Sequence, residues 1–412
     1  MKNFETVITG IGVIAPNGIG KAEFWQALEN GLNSSTQISF FNTDEFKVKS
    51  ACEAKNFDPK EILGAKGLRN LDRSALFLIS AAKLAIDDAK IEITDENTDK
   101  FGVCTGTTFP HLWSITEFDK EVFTEGIEFA SPALFPSTVM NAASSQVSIR
   151  FNIQGFNATV STGFCSGLAA LKYSIDALKT NKAEIIFSAG VETLTSSLFM
   201  GLQKLGYMAG LNGKELSCPF DKKRNGPILG EAACVFSLEE KDRARERGAN
   251  IYAKIKSVCN YFDASKMGTI NPQGEGLEIA IIQAIKEAGI DIKDIDYISS
   301  CANSTQDLDK TEVKVLNKIF GKELRDIPVS SIKSMIGETF AASGALQVAS
   351  CIGAMQRGII PPTINYEEKD PECEINCVPN KGEKKDVKIA LITSFGPGGY
   401  NSACILEKFT EN

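Results

Sequence analysis

The chain has 412 residues, 43% hydrophobic and 23% charged, with a formal net charge of −8. That length accommodates two domains or one large duplicated core, and the acidic balance argues against nonspecific binding to nucleic acid or to an anionic membrane. No apolar run reaches the ~20 residues of a membrane helix, and "MKNFETVITG" lacks the charged-then-apolar layout of a secretion signal, so a cytoplasmic protein is expected.

Short apolar runs then alternate with helical periodicity. "TVITGIGVIAP" predicts a strand ending in a Gly/Pro turn, and "DRSALFLISAAKLAIDDAK" an amphipathic helix. "ATVST" leads through "STGFCSG" into a helix that begins near Cys165 and places Leu168, Leu171, Ile175 and Leu178 on one face. "AEIIFSAGVET" has the unbroken apolar character of a buried, parallel-type strand. After the charged helix end "EEKDRARERGAN" a similar order returns: strand "NIYAKIKSV", helix "GLEIAIIQAIKEAG", strand and turn "DYISSCANST", helix "DKTEVKVLNKIFG". "VKIALITSFGPGGYNSACILEKF" closes the chain as a glycine-rich hairpin. The pattern predicts an α/β layered fold in two halves, residues 1–248 and 249–412, suggesting an internal duplication.

The 11 cysteines have no framework spacing and read as reduced, mostly buried thiols. Cys373 and Cys377 are the closest pair, but without a nearby histidine they do not suggest a metal site. His111 is the single histidine, which excludes any two-histidine mechanism. It is expected to be a loop residue packed beside Trp113.

Several segments together resemble the β-ketoacyl-acyl-carrier-protein synthases, condensing enzymes of the thiolase fold. They are "VITGIGVIAPNGIGKAEFWQAL", "FPSTVMNAASSQVSIRFNIQG", "CPFDKKRNGPILGEAACVFSLEEKDRARERGANIYAKI", "SSIKSMIGETFAASGA", "GIIPPTINYE" and "ITSFGPGGYNSA". The resemblance implies a duplicated α-β-α-β-α architecture. It also implies a nucleophilic cysteine at a helix N-terminus, where the dipole favours the thiolate, and two histidines on later loops. Here the family's Thr-Ala-Cys-x-Ser matches Thr162-Gly163-Phe164-Cys165-Ser166, in the register set by Gly155 and Leu168. The two histidine positions hold Cys301 and Glu338. Phe164 cannot form a thioester, and Cys165, turned ~100° around the helix, should face neighbouring packing.

Lys333, Asp309, Lys310, Glu312, Phe395, Gly396, Gly398 and Gly399 match the family, with Phe395 and Gly396 in the oxyanion and gating loop. Pro397 and Tyr400 depart from it. Asn303 and Thr305 stand where the family contacts the pantetheine arm, so the phosphopantetheine of an acyl carrier protein is the implied substrate arm; no bound cofactor is implied. Glu338 is expected to pair with Lys333. Phe109 and Trp113 occupy a segment that in the family lines the acyl pocket and approaches the partner subunit, which suits dimer packing or a gate on chain length. The pattern is similar to the chain-length-factor class, non-catalytic partners that heterodimerise with an active ketosynthase in type II fatty acid or polyketide-type pathways, although that class often carries glutamine at the nucleophile position. Two alternatives stay open: a divergent β-ketoacyl synthase or acyltransferase using Cys165 or Cys301, and a homodimer that binds an acyl carrier or lipid.

Overall fold

The computed structural model describes residues 4–69, 71–264, 266 and 268–411. A mixed 11-stranded sheet runs through it. Its main strands are β1 (Thr6–Ala15), β2 (Phe101–Gly106), β3 (Asn157–Val160), β4 (Ile185–Glu192), β5 (Ala232–Glu240), β6 (Ala253–Phe262), β7 (Tyr297–Ser299), β8 (Val329–Ser330), β9 (Ile389–Phe395) and β10 (Tyr400–Lys408). The order is β8-β7-β9-β10-β6-β1-β5-β4-β2-β3, with the two groups of five meeting where Thr6–Ile8 of β1 pairs with Ala253–Ile255 of β6.

Each group repeats the same senses. β2 is parallel to β3 and β4, as β7 is to β8 and β9. The pairs β4–β5 and β5–β1 are antiparallel, like β9–β10 and β10–β6. β4 is therefore parallel to one neighbour and antiparallel to the other, so the parallel-type reading holds on the β2 side and fails on the β5 side. Burial on both faces produced its apolar run, and burial carries no information about a neighbour's direction.

The helices that matter here are α1 (Arg73–Asp88), α2 (Leu112–Glu125), α3 (Ala142–Phe151), α4 (Ser166–Lys179), α5 (Ser196–Lys204), α6 (Glu275–Ala288), α7 (Gln306–Phe320) and α8 (Ala341–Arg357). α4 leads into β4, α8 is the last α-helix before β9, and the two helices pack on each other. A Cβ on Gly167 would lie 2.4 Å from the Ala341 carbonyl oxygen, and one on Gly344 would lie 2.7 Å from Leu168 Cγ. Two glycines thus permit a close helix–helix approach. α8 is buried from Ala341 to Met355, as its run of small and apolar residues requires.

The two ends of the sheet differ. Beyond β8 the chain returns to cover the edge: Val329 N–H donates to Asn376 O (2.9 Å) and Val378 N–H to Val329 O (3.0 Å). β3 pairs with β2 alone. Its inward carbonyls include Phe156 O and Val160 O, which accept from Val103 and Thr107. By the alternation of a parallel ladder, the backbone groups of Asn157 and Thr159 point outward. No helix among the described residues is long and apolar enough to cross a membrane.

Candidate functional site

The bend before α4 is built locally. Gly163 adopts φ +60°, and Ser166 fastens the turn by donating its Oγ to Gly163 O (2.6 Å) while accepting from Thr162 N (2.9 Å). Phe164 leaves this bend almost fully buried. Its ring meets Phe340 edge-on at 5.1 Å between centroids and Tyr207 at 6.2 Å. Phe340 in turn meets Phe109 at 5.3 Å. The opposite wall is the glycine-rich hairpin, where a Cβ on Gly396 would lie 2.7 Å from Phe164 Cδ2. Glycine is needed at 396 because the aromatic ring takes the space of a side chain. Aromatic surface therefore fills the space at the start of α4, held by geometry favourable to edge-to-face rings.

A buried polar group lies beside this plug. Lys333 Nζ is 2.8 Å from Glu338 Oε2, with both side chains withdrawn from solvent. Asn303 Nδ2 also donates to Glu338 Oε2 (2.7 Å), and Glu338 Oε1 accepts from Phe340 N and Ser343 Oγ, each at 2.9 Å. The carboxylate has donors on both oxygens, as a buried ion requires. Burial works to lower the Lys333 pKa, but the Glu338 carboxylate, helped by Cys301 and Glu312, holds it above its ordinary value. The expected Lys333–Glu338 pair is thus present. Phe340, whose N–H it anchors, sits at φ +47°, a strained conformation for a bulky residue.

Asn303 also donates to the Tyr207 hydroxyl (2.9 Å) and accepts from Thr305 N (3.1 Å), so its amide is committed within the protein. Thr305 immediately precedes α7. On that helix Glu312 accepts from Ser300 Oγ (2.5 Å), Cys301 N (3.2 Å) and Thr393 Oγ1, and Asp309 accepts from Asn303 N and Phe220 N, each at 2.9 Å. Both carboxylates hold the loop that carries Cys301, while Lys310 pairs with Glu372 at the surface. Burial pushes Asp309 up to about 7, against the pull of Arg224.

Both candidate thiols are buried. Cys165 Sγ donates to Ser394 O (3.1 Å) and Tyr400 O (3.4 Å), turned into the hairpin as helical geometry predicts. Burial pushes it up to about 11, with Ser394, Ser402 and Lys333 opposing. Burial and the Glu312 carboxylate push Cys301 well above a normal thiol, against Lys333 and the Phe395 backbone N–H. Gly398 and Gly399 take φ of +117° and +88°, and Tyr400 packs on Phe262 with its ring tilted by 55° at 4.8 Å.

Trp113 does not join this cluster. It is 47% exposed and lines a surface groove of about 510 Å³ with Phe40, Phe41, Phe57 and Arg73. His111, in the turn before α2, lines the same groove as Trp113, and its ring nitrogens are also engaged. It is buried, its Nδ1 lies 2.5 Å from Asp72 Oδ2, and Ala143 N–H donates to its Nε2 at 3.1 Å, which makes the imidazole a neutral Nδ1–H tautomer.

Tyr207, Phe340 and Glu192 are site residues that sequence reasoning missed. Glu192 accepts from Thr108 N (2.8 Å) and Phe109 N (3.2 Å), tying the Phe109 turn to the end of β4, and burial pushes it up to about 7 despite these donors. Phe340 stood within the quoted "GETFAASGA" motif; nothing short of its contact with Phe164, 176 positions away, marked it. No group of three or more His, Cys, Asp or Glu among the described residues is placed to hold a metal ion.

A duplicated sheet around two buried helices, with a glycine hairpin over the start of one, defines a ketosynthase-like architecture. Residues 4–244 match the model of the β-ketoacyl synthase N-terminal domain, and residues 252–367 that of its C-terminal domain. The chain belongs to the β-ketoacyl synthase family. It is 31% identical to the 3-oxoacyl-[acyl-carrier-protein] synthase 2 of Coxiella burnetii, covering 99% of both chains. It is 33% identical to the tetracenomycin polyketide synthase ketoacyl synthase alpha subunit of Streptomyces glaucescens, over 98% of this chain and 97% of that one. Among solved structures, the ishigamide ketosynthase/chain length factor superposes with a TM-score of 0.92 at 28% identity, covering 99% of this chain and 100% of that one. A type II polyketide synthase acyl-carrier protein in complex with its ketosynthase bound to the hexaketide gives 0.90 at 25%, with the same coverage. These neighbours are thiolase-fold ketosynthases.

Proposed function

We propose that this chain is a non-catalytic ketosynthase-like subunit of the chain-length-factor type. It pairs with an active β-ketoacyl synthase and shapes the acyl or polyketide tunnel from its side of the interface. The observation that carries the reading is the Phe164 ring, wedged between Gly396 and Phe340 at the helix start where a nucleophile would be needed. The Lys333–Glu338–Asn303 network supports it, because its donors and acceptors are spent on one another instead of facing a substrate. Neither thiol offers a substitute: at neutral pH a thiol held up at about 11 is almost wholly protonated.

Under this reading the phosphopantetheine arm of the acyl carrier protein delivers its cargo to the partner's active site. Phe109, on the turn held by Glu192, is the residue of this chain best placed to limit chain length. Co-expression with a candidate ketosynthase tests the proposal. A stable heterodimer is expected, with products that lengthen when Phe109→Ala is introduced and disappear when the partner's nucleophile is removed. Purification as a homodimer, with products unchanged in its absence, overturns it. An acyl adduct on Cys165 or Cys301 after incubation with an acyl-carrier thioester, found by mass spectrometry, would instead favour a divergent acyltransferase.

A further inference from the structure

The segment from α2 through α3 to the bare strand β3 carries a large exposed apolar surface. Phe123 is 85% exposed, Ile127 81%, Phe129 68%, Phe135 59% and Ile149 71%. The pieces of this segment pack on one another, for example through the Phe118 and Phe135 rings at 5.8 Å, and α3 packs on β3. An apolar surface of this kind beside outward-pointing backbone groups suits association with another folded chain.

Its charge is one-sided. Between residues 101 and 149 stand Glu117, Asp119, Glu121, Glu125 and Glu128, against Lys120 as the one lysine or arginine. Lys120 is taken up by Glu117 at 3.8 Å. The nearby Arg150 is also engaged, donating to Lys66 O (3.0 Å) and Leu63 O (2.6 Å). Asp119, Glu125 and Glu128 are exposed, and none has a cation within 4.0 Å among the described residues. A two-fold pairing of identical copies presents the same patch to itself. It would set the five carboxylates of one copy against the five of the other, with only Lys120 and the adjacent Arg150 as cations on each side.

We infer that this acidic, apolar face rejects a second copy of the chain and selects a different subunit whose facing segment carries lysine or arginine. The inference rests on the heterodimer reading above and adds the chemistry by which the partner is chosen. Like-charge juxtaposition at an interface acts mainly on partner choice.

A competition capture tests it. Tagged wild-type chain is co-expressed with two untagged copies, the wild type and the variant Asp119→Lys, Glu125→Lys, Glu128→Lys. At about 50 mM salt the tagged chain should retain the reversed variant about tenfold or more over the wild type, and the ratio should approach one near 1 M, where the Debye length falls to about 3 Å. Equal retention at low salt overturns the inference. A second measurement needs no variant: self-association of the wild type, followed by sedimentation, should strengthen as salt rises. Self-association that is tight at low salt, or that weakens as salt rises, also overturns it. The outcome is separable from the functional proposal, since charge selectivity can hold where product length is independent of this chain, and the reverse.

Discussion

The two five-stranded groups share strand order and pairing senses, yet they end differently. The second group closes itself, because residues 376–378 run along β8 and take up both backbone groups of Val329. The first ends on β3, with outward groups at Asn157 and Thr159 and an apolar, acidic flap beside it. The starts of the two buried helices differ as well. α4 begins behind the neutral Phe164 bend, whereas α8 begins behind the Lys333–Glu338 pair. One scaffold occurs twice; exposed apolar surface stands on one copy and a self-satisfied ion pair in the other.

The strongest way to break this comparison is at the ion pair. Lys333→Ala leaves a buried carboxylate without its cation and should cost about 3–5 kcal/mol in denaturant unfolding. A loss below about 1 kcal/mol would mean that Glu338 does not need a charged partner. Next come the edges, which matched proline substitutions sharpen. Val329→Pro removes the donor to Asn376 and should cost about 2–3 kcal/mol or more, whereas Thr159→Pro acts on an outward N–H and should change unfolding of the isolated chain by about 0.5 kcal/mol or less. Thr159→Pro should nonetheless abolish co-purification with the partner. Equal costs at the two edges would show that β3 is covered after all.

Between these lies a pH effect at the joint of the two helices. Glu192 ordinarily titrates near 4.5 and is held up to about 7 when folded. The folded state therefore binds its proton more tightly. The stabilisation from the protonated form is complete below about pH 4.5 and is lost as pH rises through about 7. Asp309 contributes in the same sense, from 3.8 to about 7. Glu192→Gln should flatten part of this decline, by about 1–2 kcal/mol across the window, in thermal melts taken from pH 5 to pH 8. An unchanged slope would assign the whole effect to Asp309 or elsewhere.

Much of the scaffold was legible because its signals are local. The periodicity of Leu168, Leu171, Ile175 and Leu178 gave α4, and the register from Gly155 to Leu168 placed Phe164 on the helix start. The pairing of Lys333 with Glu338 was readable because they are five residues apart. What could not be read depends on distant partners. The antiparallel neighbour of β4, the meeting of Phe164 with Phe340, and the commitment of Asn303 to Tyr207 join segments that share no local pattern. The hydrogen-bond partners of His111 are hidden for the same reason, since Asp72 lies 39 residues away and Ala143 lies 32.

That histidine gives the protein a natural spectroscopic tag. One imidazole in 412 residues means one set of ring resonances, with no assignment to make. Its Nδ1 proton is held against Asp72 at the start of α1, and its Nε2 accepts from Ala143 at the start of α3, so the ring spans the seam between the core and the flap beside β3. Any chain that docks on that flap and shifts α3 will move this signal, without a label being introduced.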